Sequence, residues 1–278
     1  MSLTIGHIDY LNCTPIFTAL QNSMDCSGYH FVRGVPSCLN RKLAEGEIDV
    51  CPSSSIEYGK YPDRYLILPE LCISSIGPVK SVLLFSTVPL ERLDGAVIGM
   101  TTESDTSVNL LRIILATFQG YTNRFERTGL PLAEALNSYP AVLLIGDQAL
   151  RGALGRGDFH VYDLGELWYR ATGLPFVFAL WFVRRDTVAA KPAEVARLAS
   201  DFVRAKKLAY DSYPTIASMV PERAWIDPDA LVDYWKIISY DLTAAHLEGL
   251  KLFYSHAAAL GVLPAVPEVR LYQGGRGV

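Results

Sequence analysis

Short apolar runs rich in Val, Ile and Leu alternate along the chain with stretches whose apolar positions recur every three or four residues. That alternation predicts α/β layers built on parallel sheets. Residues 3–8 predict a first strand and 14–20 a helix, with Thr14 as N-cap and Pro15 at the first helical position, where its missing N–H costs nothing. Residues 31–35 predict a second strand, 37–45 a short helix stopped by Gly46, and 48–51 a third strand. A helix start follows at 52–57, where Ser54 and Glu57 stand at capping-box spacing. Residues 66–68, 71–75 and 79–85 predict three more strands, the last two joined by a turn at Gly77-Pro78.

A new α/β series opens after Pro89. It contains a strand at 96–100, a helix at 108–118 carried by Val108, Leu111, Ile114, Leu115 and Phe118, and apolar strands at 141–145 and 175–183. The last third is helical, over 192–213, 228–239 and 243–260, with Gly261 ending the last of these. The second series lies between strand-rich and helical material, so the first domain is expected to be discontinuous. Residues 1–86 and 184–278 form one lobe, and 87–183 an inserted second lobe. Gly152-Ala153-Leu154-Gly155-Arg156-Gly157 follows a helix and reads as a turn; Gly274-Gly275-Arg276-Gly277 reads as a frayed tail.

Composition narrows the function. With 278 residues, 50% of them hydrophobic, the chain buries a large core and is not disordered. The 25 Lys and Arg against 29 Asp and Glu give a net charge of −4, which leaves no basic field for nucleic acid or anionic lipid. No apolar run approaches the roughly 18–20 residues of a membrane helix. The N-terminus has no basic export region, so a cytoplasmic protein is expected. Cys13, Cys26, Cys38, Cys51 and Cys72 are odd in number and contain no Cys-x-x-Cys pair, which favours scattered thiols over a disulfide framework or a zinc site. Nucleophile-elbow, dinucleotide-loop, phosphate-loop and zinc-protease signatures are missing, and with no basic field the expected partner is a small molecule.

What recurs is a strand that ends in small or hydroxyl residues and passes straight into a helix. It does so at Asn12-Cys13-Thr14-Pro15, at Ser53-Ser54-Ser55, at residues 101–107 and at Gly146-Asp147. Ligands of parallel α/β sheets sit at the carboxyl ends of strands, where helix N-termini offer free N–H groups and partial positive charge. Each such end is worth roughly 0.3–1 kcal/mol to an anion when exposed. Several together suit a dianion. Each site taken alone reads first as an ordinary cap, since Ser, Thr, Asn and Asp are the usual N-cap residues, and Ser54 with Glu57 and Asp147 are read that way. The 101–107 stretch, with Ser104, Thr106 and Ser107, carries more hydroxyls than one cap requires. Phe176 and Trp181 lie in an apolar strand and read as core.

At these same residues the chain resembles the chorismate dehydratases of the futalosine route to menaquinone. The resemblance rests on Tyr10-Leu11-Asn12, on Asp49-Val50-Cys51-Pro52 with Ser54-Ser55-Ile56-Glu57-Tyr58, and on Ser81-Val82-Leu83-Leu84-Phe85-Ser86. It continues through Thr106-Ser107, Leu144-Ile145-Gly146-Asp147, Asp163-Leu164-Gly165 and Gly173-Leu174-Pro175-Phe176-Val177-Phe178-Ala179, in order along the whole chain. Cys13 stands where Ser or Thr is expected. The resemblance implies an α/β, two-lobed fold similar to type 2 periplasmic binding proteins, with a ligand cleft between the lobes. It implies a cofactor-free and metal-free lyase that takes chorismate, a dicarboxylate, to 3-[(1-carboxyvinyl)oxy]benzoate. Asn12 and Ser81 match substrate-contacting positions, and Ser54, Ser55, Ser104, Thr106, Ser107, Gly146, Asp147 and Phe176 are the further candidates for binding. Two alternatives use the same architecture: a non-catalytic carboxylate binder, and the related 1,4-dihydroxy-6-naphthoate-forming enzyme, whose Ser-Pro-Cys-Pro-Asn type opening is not what stands at residues 9–14.

Overall fold

A computed structural model of the chain describes residues 2–155 and 157–274. It opens with β1 (Leu3–Ile8), α1 (Thr14–Ser23), β2 (Tyr29–Gly34), α2 (Pro36–Glu45), β3 (Val50–Ser54), α3 (Ser55–Lys60) and the long β4 (Tyr65–Ser75). Then come β5 (Val82–Ser86), β6 (Val97–Met100), α4 (Asp105–Ile113), β7 (Arg124–Arg127), α5 (Leu132–Ser138), β8 (Ala141–Ile145), α6 (Gly146–Leu154), β9 (His160–Asp163) and α7 (Leu164–Thr172). The chain returns through β10 (Phe176–Arg184) and closes with α8 (Arg185–Ala190), α9 (Pro192–Met219), α10 (Pro228–Ile237), β11 (Ile238–Ser239) and α11 (Ala244–Ala259).

Two compact units result. One comprises Met1–Ser74, Ala179–Thr243 and Pro267–Val278, the other Ser75–Phe178 and Ala244–Val266. The crossings therefore fall earlier than the sequence suggested, because β5 pairs with β8 and β9 rather than with any strand of the first sheet. The segment carrying α11 goes with the second unit, not with the other C-terminal helices.

The first unit holds a six-stranded sheet in the order β11-β4-β10-β3-β1-β2, the second a five-stranded sheet in the order β7-β6-β8-β5-β9. The expectation of parallel sheets is corrected. β1 runs parallel to β2 and β3, and β6 parallel to β7 and β8, but β10 is antiparallel to β3 and β5 is antiparallel to β8 and β9. Both mixed-direction strands, β5 and β10, are apolar enough to be buried on two faces, and direction leaves no mark in such a pattern.

Other differences are local. Cys13, not Thr14, occupies the N-cap of α1; Thr14 lies inside the first turn and its hydroxyl donates to the Tyr10 carbonyl at 3.4 Å. β3 runs on through Ser54, no side chain caps α3, and Glu57 pairs with Lys60 at 2.7 Å, so the capping box does not form. Asp147 sits within the first turn of α6, whose N-cap is Ile145. The helix expected over 108–118 begins at Asp105 and passes into a π-turn at Ile114–Phe118. Gly152 belongs to α6. Arg156 of the glycine-rich run and residues 275–277 of the expected tail lie outside the described residues. Among the described residues no helix is long and apolar enough to cross a membrane. The five cysteines are unpaired thiols, with Cys13, Cys51 and Cys72 buried.

The core of the first unit contains an unusual polar member. The His7 imidazole is buried and stacks on the Phe17 ring at 3.9 Å between centroids. Burial, and secondarily the charge of Arg33, pushes its pKa down from 6.5 to about 4. Between those two pH values the unfolded chain binds the proton that the folded one refuses, so stability present above about pH 6.5 drains away as the pH falls toward about 4. The loss is on the order of 3 kcal/mol. Urea unfolding of His7→Leu is expected to show a flatter acid limb than the parent over this window, whatever its stability at neutral pH. Parallel limbs would remove His7 from the account.

Candidate functional site

In the first unit the parallel register of β1 with β3, through Ile5 and Val50, puts the carboxyl ends of both strands at one end of the sheet. The turn after β1 carries Asn12, and the end of β3 carries Ser54 and runs into Ser55; both serines are buried. The Cys13 N–H donates to the Tyr10 carbonyl at 2.9 Å and closes the turn. Two side chains from the far end of the chain hold it from behind. The Trp235 indole N–H donates to the Leu11 carbonyl at 2.7 Å, and the Tyr240 hydroxyl donates to the Asn12 carbonyl at 2.8 Å. The Asn12 carboxamide itself is left unused: its Oδ1 is buried with no hydrogen-bond partner among the described residues. A cavity of about 300 Å³ lies between His7, Asp9, Tyr10, Thr14 and Arg33 and the end of α9 at Met219, and Asn12, Ser54 and Ser55 do not line it.

In the second unit Ser81 immediately precedes β5, whose antiparallel register pairs Val82 with Ile145 at the end of β8. The Gly146 N–H donates to the Ser81 carbonyl at 2.8 Å, which fixes the start of α6 beside Ser81. Gly146 has φ 57°, the left-handed region that favours glycine. The Thr101 N–H donates to the Leu143 carbonyl at 3.1 Å, so the loop leading into α4 runs alongside the end of β8. Ser104 caps α4, its hydroxyl accepting from the Ser107 N–H at 3.2 Å. Thr106 and Ser107 are buried, and Arg127 bonds both the Thr101 carbonyl and the Asp105 carboxylate. Ser81, Ser104, Thr106, Ser107, Gly146 and Asp147 are thus gathered at one end of this sheet by its register. Phe176, the remaining candidate, is 1% exposed and packs in the core against the rings of Trp168, Phe178 and Phe253.

Asp163 organises this end of the second unit. Its carboxylate accepts from the backbone N–H groups of Val79, Lys80, Gly165 and Glu166, at 2.6–3.2 Å. It therefore caps α7 and ties down the turn before Ser81, in which Lys80 takes φ 60°. Burial outweighs these four bonds and raises the Asp163 pKa above its ordinary value. Neither this clamp nor the one made by Trp235 and Tyr240 is visible in local sequence, because the partners lie 84 and more than 220 residues away. The strand ends of each unit offer mainly neutral groups, hydroxyls and helix N-termini, with the Asn12 carboxamide in the first unit and the Asp147 carboxylate in the second, a set suited to carboxylates and hydroxyls rather than to a strongly basic or redox task.

A family model described as menaquinone biosynthesis matches residues 3–259. Chorismate dehydratase of Thermus thermophilus is 33% identical over 278 residues, spanning 95% of this chain and 96% of that protein. Among solved structures, a protein of Archaeoglobus fulgidus matches with a TM-score of 0.76 at 20% identity, covering 94% of this chain and 98% of that one. The periplasmic aliphatic sulphonate binding protein of Escherichia coli matches with a TM-score of 0.69 at 14% identity, covering 100% and 94%. These structural likenesses establish the fold as that of periplasmic binding proteins, and the match over residues 3–259 establishes the lineage: the chain belongs to the menaquinone biosynthesis family.

Proposed function

We propose that this chain is a chorismate dehydratase, removing water from chorismate to give 3-[(1-carboxyvinyl)oxy]benzoate for menaquinone biosynthesis by the futalosine route, and that it works in the cytoplasm. The observation that carries the activity is the 33% identity to a chorismate dehydratase across 95% of this chain and 96% of that enzyme. In the reaction the C–H bond at the ether-bearing ring carbon breaks and its electron pair forms a ring double bond. The neighbouring C–O bond breaks, and hydroxide leaves with a proton as water. The ring becomes aromatic, so the protein's task is to orient the substrate and steady developing charge.

Asn12 and Ser81 contact the substrate in this reading and orient its enolpyruvyl carboxylate, which takes the ring proton as an internal base. Ser54, Ser55, Ser104, Thr106, Ser107, Gly146 and Asp147 supply the remaining polar contacts. The unpartnered Asn12 Oδ1 is an acceptor open to a substrate hydroxyl, while the Nδ2–H groups of the same carboxamide are the donors a carboxylate needs. The buried Ser81 hydroxyl, whose bond among the described residues is a long 3.4 Å one to the Val79 carbonyl, is a second group with capacity to spare.

The test is direct. Purified protein is incubated with chorismate, with and without a chelator, and followed by product mass and ultraviolet absorbance. Loss of one water and growth of an aromatic chromophore are expected; chorismate bound but unchanged would convert the reading to that of a binding protein. Ser81→Ala is expected to lower kcat/KM about tenfold, the worth of one hydrogen bond in a buried site.

A further inference from the structure

The turn that carries Asn12 is built from outside itself. Trp235, at the end of α10, and Tyr240, just after β11, donate to the carbonyls of the consecutive residues Leu11 and Asn12 at 2.7 and 2.8 Å. Both side chains are fully buried. Tyr240 is itself fixed at its two backbone groups: its N–H donates to the Tyr210 hydroxyl at 3.1 Å, and its carbonyl accepts from the Cys72 N–H at 3.0 Å. The chain of bonds continues through the half-exposed Tyr210 and Asp241. The Tyr210 hydroxyl donates to the Asp241 carboxylate at 3.0 Å, and that carboxylate accepts from the buried Lys206 ammonium at 2.6 Å. Lys206 also donates to the Glu70 carbonyl at 2.6 Å, in β4, where Glu70 takes φ 62°. Hydrogen bonds thus run from α9 and β4 to the backbone of Tyr240, whose side chain spans from there to the backbone oxygen of Asn12, while the Asn12 Oδ1 is buried without a partner among the described residues.

We propose that Tyr240, backed by Tyr210, Asp241 and Lys206 and assisted by Trp235, is a positioning residue that fixes the Asn12 carboxamide for the reaction. The proposal rests on the reading of Asn12 as a substrate-contacting group. The physical reason is that a short turn does not hold a side chain to within the fraction of an ångström that catalysis rewards unless its backbone is pinned. Two donors on adjacent carbonyls remove the peptide-plane rotation that would swing Asn12. A generic core role would need neither donor aimed at this turn; both are.

The experiment is a double-mutant cycle on kcat for chorismate with Tyr240→Phe and Asn12→Ala. Tyr240→Phe alone is expected to lower kcat about tenfold with KM changed less than about twofold. In the Asn12→Ala background the same change is expected to cost nothing further, because Tyr240 acts through Asn12. A loss of equal size in both backgrounds, or no loss at all, overturns the proposal. Trp235→Phe, which removes only the indole donor, is expected to repeat the pattern, and thermal melting checks that each variant folds. Wild-type turnover separates the two ideas: an inactive parent sinks the dehydratase reading itself. The side-chain amide resonances of Asn12 then decide the positioning independently. They are expected to be a single sharp pair in the parent and broadened in Tyr240→Phe; identical spectra would overturn it.

Discussion

Asn12→Leu is expected to lower kcat/KM for chorismate by a factor on the order of 10²–10³, the usual loss when one polar group aimed at developing charge is removed. The same change should leave the unfolding midpoint at or above that of the parent. The two expectations come from one observation. The Asn12 Oδ1 is buried and has no partner among the described residues. A buried acceptor without a donor costs free energy in the folded state, so an apolar side chain of similar volume relieves that cost. The backbone of the turn is unaffected, because Trp235 and Tyr240 bond the carbonyls of Leu11 and Asn12 rather than the side chain. Measuring kcat/KM and urea unfolding on the same preparation checks both halves. Near-normal turnover would remove Asn12 from the site. Lost turnover together with a collapse in stability would mean that the carboxamide has a structural partner.

The elements that sequence pattern captured are those in which burial and element boundaries coincide. β1 and β8 are runs that the sheet buries almost throughout, and α2 ends where Gly46 takes φ 84°. β9 and α7 escaped because β9 lies at the edge of its sheet with its first two residues exposed, so it shows no apolar period. The break predicted within 66–75 is a single strand whose Glu70 turns to φ 62°; the Pro69-Glu70 pair mimics a loop. At Ile114–Phe118 the three-and-four spacing of apolar residues persists while the hydrogen bonds widen to π geometry, a change the spacing does not register.

The site divides in the same way. Asn12 and the hydroxyls around Ser104 are marked locally by strand-end chemistry and Ser81 by motif order alone, and their contact with substrate remains the proposal made above. The residues that hold them are not so marked, since the pairing of Tyr240 with Asn12 spans 228 positions and exists only once β11 and β1 belong to one sheet. Phe176 shows the converse: a residue inside a family-like motif that packs in the core, among aromatic rings. The fold itself is shared with solute-binding proteins, so it is the side chains at strand ends, not the architecture, that separate a dehydratase from a binder.

Asp163 carries the second large effect, this time on stability. Its two oxygens accept four backbone N–H groups, two from the turn before Ser81 and two from the first turn of α7. Asp163→Ala strands all four donors, three of them in part-buried surroundings, and is expected to cost the second unit about 4 kcal/mol, at the upper end of single substitutions. Asp163→Asn keeps one accepting oxygen and sheds the burial penalty that raises the carboxyl pKa, so it is expected to lose roughly half as much. That ordering distinguishes a hydrogen-bond clamp from a purely electrostatic one, in which the neutral amide would be as damaging as alanine. Hydrogen exchange at the amides of Val79, Lys80, Gly165 and Glu166 reads the effect where it arises. All four are expected to lose protection together in Asp163→Ala, since one carboxylate serves both segments. Because Lys80 is held at φ 60° by this bond, freeing it should also let Ser81 wander, and kcat/KM for chorismate should fall with the exchange protection. Protection lost only at Gly165 and Glu166, with turnover intact, would show that Asp163 caps α7 and does nothing for the turn that presents Ser81.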